Sequence, residues 1–333
     1  MKYRELGGTR LRVSEIGFGC GNVGGLIIRG SHEEQLEAVQ LALELGINYF
    51  DTAPSYGDGK SESNLGRVLS ELEPDITLAS KVGLSLDKLD NILASVEESI
   101  EASLGRLQRE SIDILQLHSR IAITRNSSKW PNSLSIDDVL GENGVADAFD
   151  SMRKKGKTRF IGFTGIGETA ALHKVVDSGR FDLVQAYFNI LNPSAGYPVP
   201  HEFSGYDFKQ IIDKAAEKKM GVAAIRVMAA GALGGETSRL GYAAPVINSP
   251  LVPGGEYEKD MERVSKLGFL LKDSRKLPQI ALQFVLSHPA VSTALVGFTN
   301  KNQIHEAVES TRFDPISKNQ MEKLDELWNQ VNW

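Results

Sequence analysis

Four side chains able to exchange or hold protons fall where short apolar runs end. Asp51 follows "INYF", Lys81 follows "ITLAS", His118 follows "IDILQL", and Tyr56 lies five residues beyond Asp51. Taken singly, each has an ordinary role as a loop cap, a wedged ring, a snorkelling surface charge or a satisfied polar residue. A carboxylate and an ammonium at the ends of apolar strands are costly unless paired, so the set is more informative than its members. The chemistry that suits it is proton transfer coupled to hydride transfer. A phenol with an ordinary pKa near 10 exchanges protons poorly at neutral pH, and a neighbouring ammonium is expected to lower that value. Lys81 is the expected ammonium and Asp51 the carboxylate that keeps it charged. His118 would position a carbonyl oxygen beside Tyr56, the general acid, with no metal required.

Such a meeting needs parallel strands whose carboxyl ends share one rim. Eight β-branched or apolar runs are present: 13–19, 47–50, 76–80, 112–117, 158–164, 181–188, 221–227 and 291–298. Helical patterns lie between them at 31–46, 61–71, 90–107, 143–155, 168–178, 207–219, 257–287 and 301–310, the first opening with Ser31 and Glu34 as a capping box. Eight strand–helix units in 333 residues predict an α/β fold, a closed (β/α)8 TIM barrel, as one domain over 1–333; an open doubly wound sheet is the alternative. "YRELGGTRLRVSEIG" reads as an N-terminal β-hairpin turning at Gly7-Gly8 that plugs the barrel floor. An extra C-terminal helix follows the last strand. Three long connections, 119–142, 190–206 and 230–256, belong to the mouth, where such loops shape a pocket. Within or near them, Arg120, Trp130, Tyr197 and His201 are assigned to solvent or packing rather than to substrate.

Composition narrows the function classes. Hydrophobic residues make up 41% and charged ones 24%, with net charge −6. Basic residues are scattered, so no nucleic-acid or anionic-membrane footprint is expected. No window reaches the roughly 18 apolar residues of a membrane span and no apolar leader is visible, so a cytoplasmic location is expected. Cys20, the one cysteine, excludes an internal disulfide and a Cys-rich metal site and is expected to pack as a small apolar group. A metal-dependent hydrolase is disfavoured because the strand ends lack a His/Asp/Glu ligand cluster. The sequence carries no signal for oligomeric state.

"GCGNVG" at 19–24 satisfies G-x-G-x-x-G after a strand, the pattern of a Rossmann turn. That mechanism needs a helix starting at the last glycine, yet "GLIIRG" intervenes and no acid stands about 20 residues on at the end of a second strand. Gly21 and Asn22 are instead expected to let the chain leave the barrel beside a flat ligand.

"FDTAPSYGDGKSE", "LASKVG", "IDILQLH" and "IGFTGIG" resemble, in order and spacing over nearly the whole chain, the signature segments of the aldo-keto reductase family. The resemblance implies that Asp51, Tyr56, Lys81 and His118 form a catalytic tetrad. It also implies extended NADP(H) or NAD(H) across the barrel mouth, with hydride passing to an aldehyde or ketone, or from an alcohol or sugar in reverse. Where the family has Ser-Asn on the carboxamide this chain has Thr164-Gly165; Gln185 matches the carboxamide-binding glutamine. Arg226 in "AIRVMAAGAL" is an unusual neighbour where an aromatic often stacks. At the adenosine-phosphate loop stand Gly297, Thr299, Asn300 and Gln303 in place of NADP-selective basic residues, with Lys301 nearby, which leaves NAD or NADP open. "APSYGDGKSE" and "IGFTG" most resemble the branch with sugar and pyridoxal dehydrogenases, so the expected partner is a small carbonyl or sugar. Because related barrels serve as regulatory subunits of channels, a noncatalytic nicotinamide-binding subunit is the second reading.

Overall fold

The computed structural model describes residues 1–235, 241–244, 250–271, 275–330 and 333. Eight parallel strands close into a barrel: β1 (Ile16–Gly19), β2 (Tyr49–Asp51), β3 (Thr77–Val82), β4 (Ile112–Leu117), β5 (Thr158–Gly165), β6 (Leu183–Tyr187), β7 (Gly221–Ile225) and β8 (Thr293–Gly297). Closure is made by β8 against β1, with Ala294 opposite Ile16 and Gly297 opposite Gly19. Around the sheet stand α1 (His32–Glu44), α2 (Lys60–Leu72), α3 (Ile92–Leu107), α4 (Val145–Lys154), α5 (Thr169–Asp177), α6 (Ile211–Glu217), α7 (Leu277–Ser287) and α8 (Lys301–Ser310). The capping box expected at the start of α1 is formed, with Glu34 N–H donating to Ser31 Oγ and Ser31 N–H to Glu34.

Strand register gathers the rim. Asp51 pairs with Ala79, Lys81 with Gln116, Gln116 with Gly162, and Thr164 with Gln185. Since alternate residues of a strand share a face, Asp51, Lys81, Gln116, Thr164 and Gln185 all point inward near the carboxyl ends.

At the opposite end the expected hairpin pairs Tyr3–Glu5 with Arg12–Ser14. Leu6 and Val13, fully buried, join Tyr49, Ala79, Ile114, Leu183 and Ala223 in the barrel interior, closing its floor. Gly7 is required there: at φ +54, a Cβ on it would stand 2.2 Å from Gly221 N. The run expected as one strand at 13–19 is therefore two, broken at Glu15, whose carboxylate holds Arg4 at 2.7 Å.

Lys81, expected after its strand, lies within it, because its charge is met by a neighbouring strand rather than by solvent. The helix expected over 257–287 is divided into Tyr257–Ser265, a 3-10 turn over Lys266–Leu270, and α7, while 272–274 lie outside the described residues. Pro278 in the first turn of α7 explains the fresh start, since proline cannot extend a helix already running into it. The C-terminal helix spans Lys318–Trp328 and packs outside α7, with the Trp328 and Phe284 rings 5.8 Å apart. No helix among the described residues is long and apolar enough to cross a membrane.

Candidate active site

Lys81 is fully buried, and its ammonium donates to Asp51 Oδ1 at 2.5 Å and to the Thr52 carbonyl at 2.8 Å. It also stands 4.7 Å from the centre of the Tyr56 ring. Asp51 Oδ2 accepts from Gln185 Nε2 at 2.5 Å and from Gln116 Nε2 at 3.1 Å. Both carboxylate oxygens are thus hydrogen-bonded, which is how a buried charge is tolerated. The Tyr56 and His118 rings meet edge to face, centroids 5.6 Å apart. The four residues separated in sequence are brought to one place.

The Tyr56 loop is built to present the phenol. Asn22 Oδ1 accepts from Gly57 N–H at 3.0 Å, tying this loop to the chain leaving β1. Gly57 and Gly59 take φ of +61° and +81°, which side chains rarely adopt, so the glycine-rich stretch is what lets the chain turn into α2 directly after Tyr56. Beneath it, Thr52 Oγ1 and Ser61 Oγ lie 2.8 Å apart, and Ser61 donates to the Cys20 carbonyl at 2.9 Å.

The electrostatics differ from expectation at the phenol. Burial raises the Tyr56 pKa above its ordinary value, and Lys81, though it pulls the other way, does not overcome this. Burial alone would depress Lys81, yet Asp51 and Tyr56 reverse the direction and hold it above the usual ammonium range. His118 is pushed down to about 3 by burial and then by Lys81, so its imidazole is neutral at physiological pH. Burial, then Asp51, also push the Cys20 thiol up, in keeping with its packing role.

Asp51, Tyr56 and His118 line a cavity of about 1150 Å³ that runs across the mouth to α8. Gly21, Asn22, Thr164, Gln185 and Arg226 lie on the same wall, as do Gly297, Thr299, Asn300 and Gln303 at its far end. Gly165 is the exception: the pleat turns it away from Thr164, and a Cβ there would stand 3.0 Å from the Gln185 carbonyl. Asn300 caps α8 by accepting Gln303 N–H, and Gln303 Oε1 accepts from Thr299 N–H at 2.8 Å, so these three first shape the helix start. Lys301 is ion-paired with Glu37 of α1.

Of the mouth-loop side chains, Trp130 is buried against Tyr206, Tyr197 packs on Phe188, Phe284 and Trp328, and His201 is exposed. Arg120, expected in solvent or packing, instead lines the cavity. The 190–206 connection contributes nothing to this wall, and 236–240 and 245–249 of the third lie outside the described residues. Gln116 is the residue that sequence reasoning missed. Its signal was alternation, since it stands two positions before His118 on an otherwise apolar strand and so faces the same interior. No cluster of three or more His, Cys, Asp or Glu side chains suited to a metal is present among the described residues.

A closed parallel barrel carrying a carboxylate, ammonium, phenol and imidazole on its carboxyl rim is the architecture of a reductase barrel. The sequence profile of the Aldo/keto reductase family matches residues 15–329, and the chain belongs to that family. L-galactose dehydrogenase of Arabidopsis thaliana is 27% identical, the alignment covering 100% of this chain and 97% of the relative. A putative voltage-gated potassium channel subunit beta of Schizosaccharomyces pombe is 25% identical over 98% of this chain and 93% of its own length. Among solved structures, aldo-keto reductase AKR11C1 from Bacillus halodurans, in its holo form, superposes with a TM-score of 0.72 at 24% identity, covering 99% of this chain and 97% of that one.

Proposed function

We propose that the protein is a nicotinamide-dependent oxidoreductase that interconverts a small carbonyl compound and its alcohol, or oxidises a sugar at C1, with Tyr56 moving the proton. The observation that carries this reading is the buried Asp51–Lys81 pair, closed at 2.5 Å and set 4.7 Å from the Tyr56 ring.

The cavity wall suits the cofactor. Thr164 Oγ1 is buried on that wall with no hydrogen-bond partner, an unmet polar group of the kind a carboxamide satisfies. With Gln185 Nε2 engaged by Asp51, its Oε1 is the atom that would accept a ligand N–H. A volume of about 1150 Å³ exceeds the roughly 300–1,000 Å³ typical of drug-sized ligands, leaving room for a dinucleotide and a small substrate. When bound, nicotinamide supplies the hydride donor or acceptor. In reduction, Tyr56 Oη gives its proton to the carbonyl oxygen, neutral His118 hydrogen-bonds that oxygen, and Lys81 stabilises the phenolate left behind until solvent reprotonates it.

Among the nicotinamide cofactors NAD is favoured, because Lys301, the first residue of α8, is engaged by Glu37. The unpaired thiol of Cys20 accords with a reducing, cytoplasmic setting. A regulatory-subunit role is the second reading, motivated by the channel-subunit relative. Assay of NAD(P)H absorbance with a panel of aldehydes and aldoses separates the two: turnover is expected, and Tyr56→Phe is expected to lower kcat by about 10²–10⁴ while NADH still quenches intrinsic fluorescence. A Tyr56→Phe variant as fast as wild type refutes the assignment of the acid.

A further inference from the structure

Among the described residues, the charged side chains on the cavity wall are Asp51, Arg120, Arg226 and Glu306. Asp51 is neutralised by Lys81 at 2.5 Å and Glu306 is ion-paired with Lys276. His118 adds no charge at neutral pH. Among the described residues this leaves two guanidinium groups with no ion pair, the Arg226 charge being felt through space by the buried Asp260, which Arg263 holds at 2.9 Å.

Neither arginine is committed elsewhere among the described residues. The Arg120 guanidinium reaches only the Pro131 carbonyl, at 3.4 Å. Arg226 is held through its backbone, its carbonyl accepting from Asn189 Nδ2 at 2.9 Å, and its side chain makes no hydrogen bond or ion pair to a described residue. The backbone at Arg226 has φ +57°, a left-handed conformation unfavourable for a non-glycine residue, and the buried Asn189 clamps it there. An arginine kept at a strained position over a cavity, its head hydrogen-bonded to no described residue, is placed for a ligand.

Both follow strand ends at the mouth, and Arg226 lies near the phenol. Arg120 is two residues beyond His118 at the end of β4, Arg226 is the first residue beyond β7, and the Arg226 charge is felt at Tyr56. The adenosine end, at α8, is elsewhere on the wall.

We propose that the substrate carries an anionic group, a carboxylate or phosphate, which Arg226 holds while its carbonyl meets Tyr56, with Arg120 adding positive charge to the same mouth. This rests on the oxidoreductase reading above. A guanidinium fork bonds a carboxylate or phosphate through two parallel N–H donors, and two cations lining one mouth also draw anions towards it.

The test compares kcat/KM for 4-oxobutanoate against butanal, and for glyceraldehyde 3-phosphate against glyceraldehyde, with NADH affinity read separately by fluorescence. Wild type is expected to favour the anionic member of at least one pair about ten- to hundredfold. Raising the salt concentration should narrow that ratio. In Arg226→Met the ratio should collapse towards one, and Arg226→Lys should keep part of it, since lysine offers the charge without the fork. Arg120→Met gives a second reading should Arg226→Met fold poorly. Equal kcat/KM within both pairs for wild type overturns the proposal. So does an Arg226→Met variant whose NADH affinity falls by the same factor as its kcat/KM, which would assign the arginine to the cofactor's pyrophosphate. Failure to bind either NADH or NADPH would overturn the oxidoreductase reading first, and this proposal with it.

Discussion

Lys81→Met tests the centre of the site, because it keeps the length of the side chain and removes the charge that holds Asp51. In the folded protein Asp51 is 4% exposed, and Lys81 is the partner of Oδ1 while the two glutamines share Oδ2. At an effective dielectric of about 20, unit charges at the 2.5 Å separation seen here attract by roughly 6–7 kcal/mol. Desolvation of the ammonium offsets part of that, and removing one partner of a buried pair typically costs about 3–5 kcal/mol. With an unfolding entropy of about 0.7 kcal/mol/K for 333 residues, Tm should fall by roughly 4–7 °C. Urea and thermal unfolding followed by circular dichroism at neutral pH provide the measurement. Asp51→Asn combined with Lys81→Met leaves no unpaired charge, so the double variant should recover more than half of the loss. A single variant within about 1 kcal/mol of wild type, or a double variant no better than the sum of its singles, would show that the pair is not what sustains this buried carboxylate.

Three further outcomes follow from the same geometry. His118, at about 3 when folded against an ordinary 6.5, binds fewer protons folded than unfolded between those values. Stability from this group is therefore complete above pH 6.5 and lost as pH falls towards 3, and His118→Asn should flatten the stability–pH slope there by up to about 1.4 kcal/mol per pH unit, less where water reaches the ring. Burial holds the Tyr56 proton above its ordinary range, so the reductive kcat/KM should be flat from about pH 6 to 9 while the oxidative rate keeps rising through alkaline pH; an oxidative plateau below pH 8 would contradict this. Glu37→Gln frees Lys301 from its ion pair and should tighten NADPH several-fold without altering NADH, as read by fluorescence titration; unchanged NADPH affinity would remove Lys301 from the cofactor argument.

Much of the barrel was legible because its code is local. Apolar β-branched runs, capping residues such as Ser31 and glycines at tight turns act within a few positions of one another, and eight repeats of one unit leave little topological freedom. That Asp51, Tyr56, Lys81 and His118 meet was legible for a related reason: in a parallel barrel every strand ends on the same rim, so residues following different strands become neighbours without knowledge of the loops. Boundaries failed where this locality failed. Lys81 looked like the end of a strand because a charge interrupts an apolar run, yet its partner arrives from β2, and the strand continues to Val82.

What the sequence withheld is decided by contacts between distant segments. That Glu37 of α1 meets Lys301 of α8 follows from barrel closure, which brings the first and last helices side by side, and no spacing rule announces it. The direction of the Tyr56 shift is of the same kind. A lysine nearby argues for a lower phenol pKa, and the answer reverses because burial outweighs the ammonium, a balance that exists only once the mouth is assembled. For the proposed mechanism the consequence is that a phenol that retains its proton, over an ammonium able to stabilise its conjugate base, would act as an acid first. On the proposed mechanism, the oxidative direction requires the same group to give up that proton to solvent before it takes one from an alcohol, which the burial opposes and Lys81 and Arg226 assist.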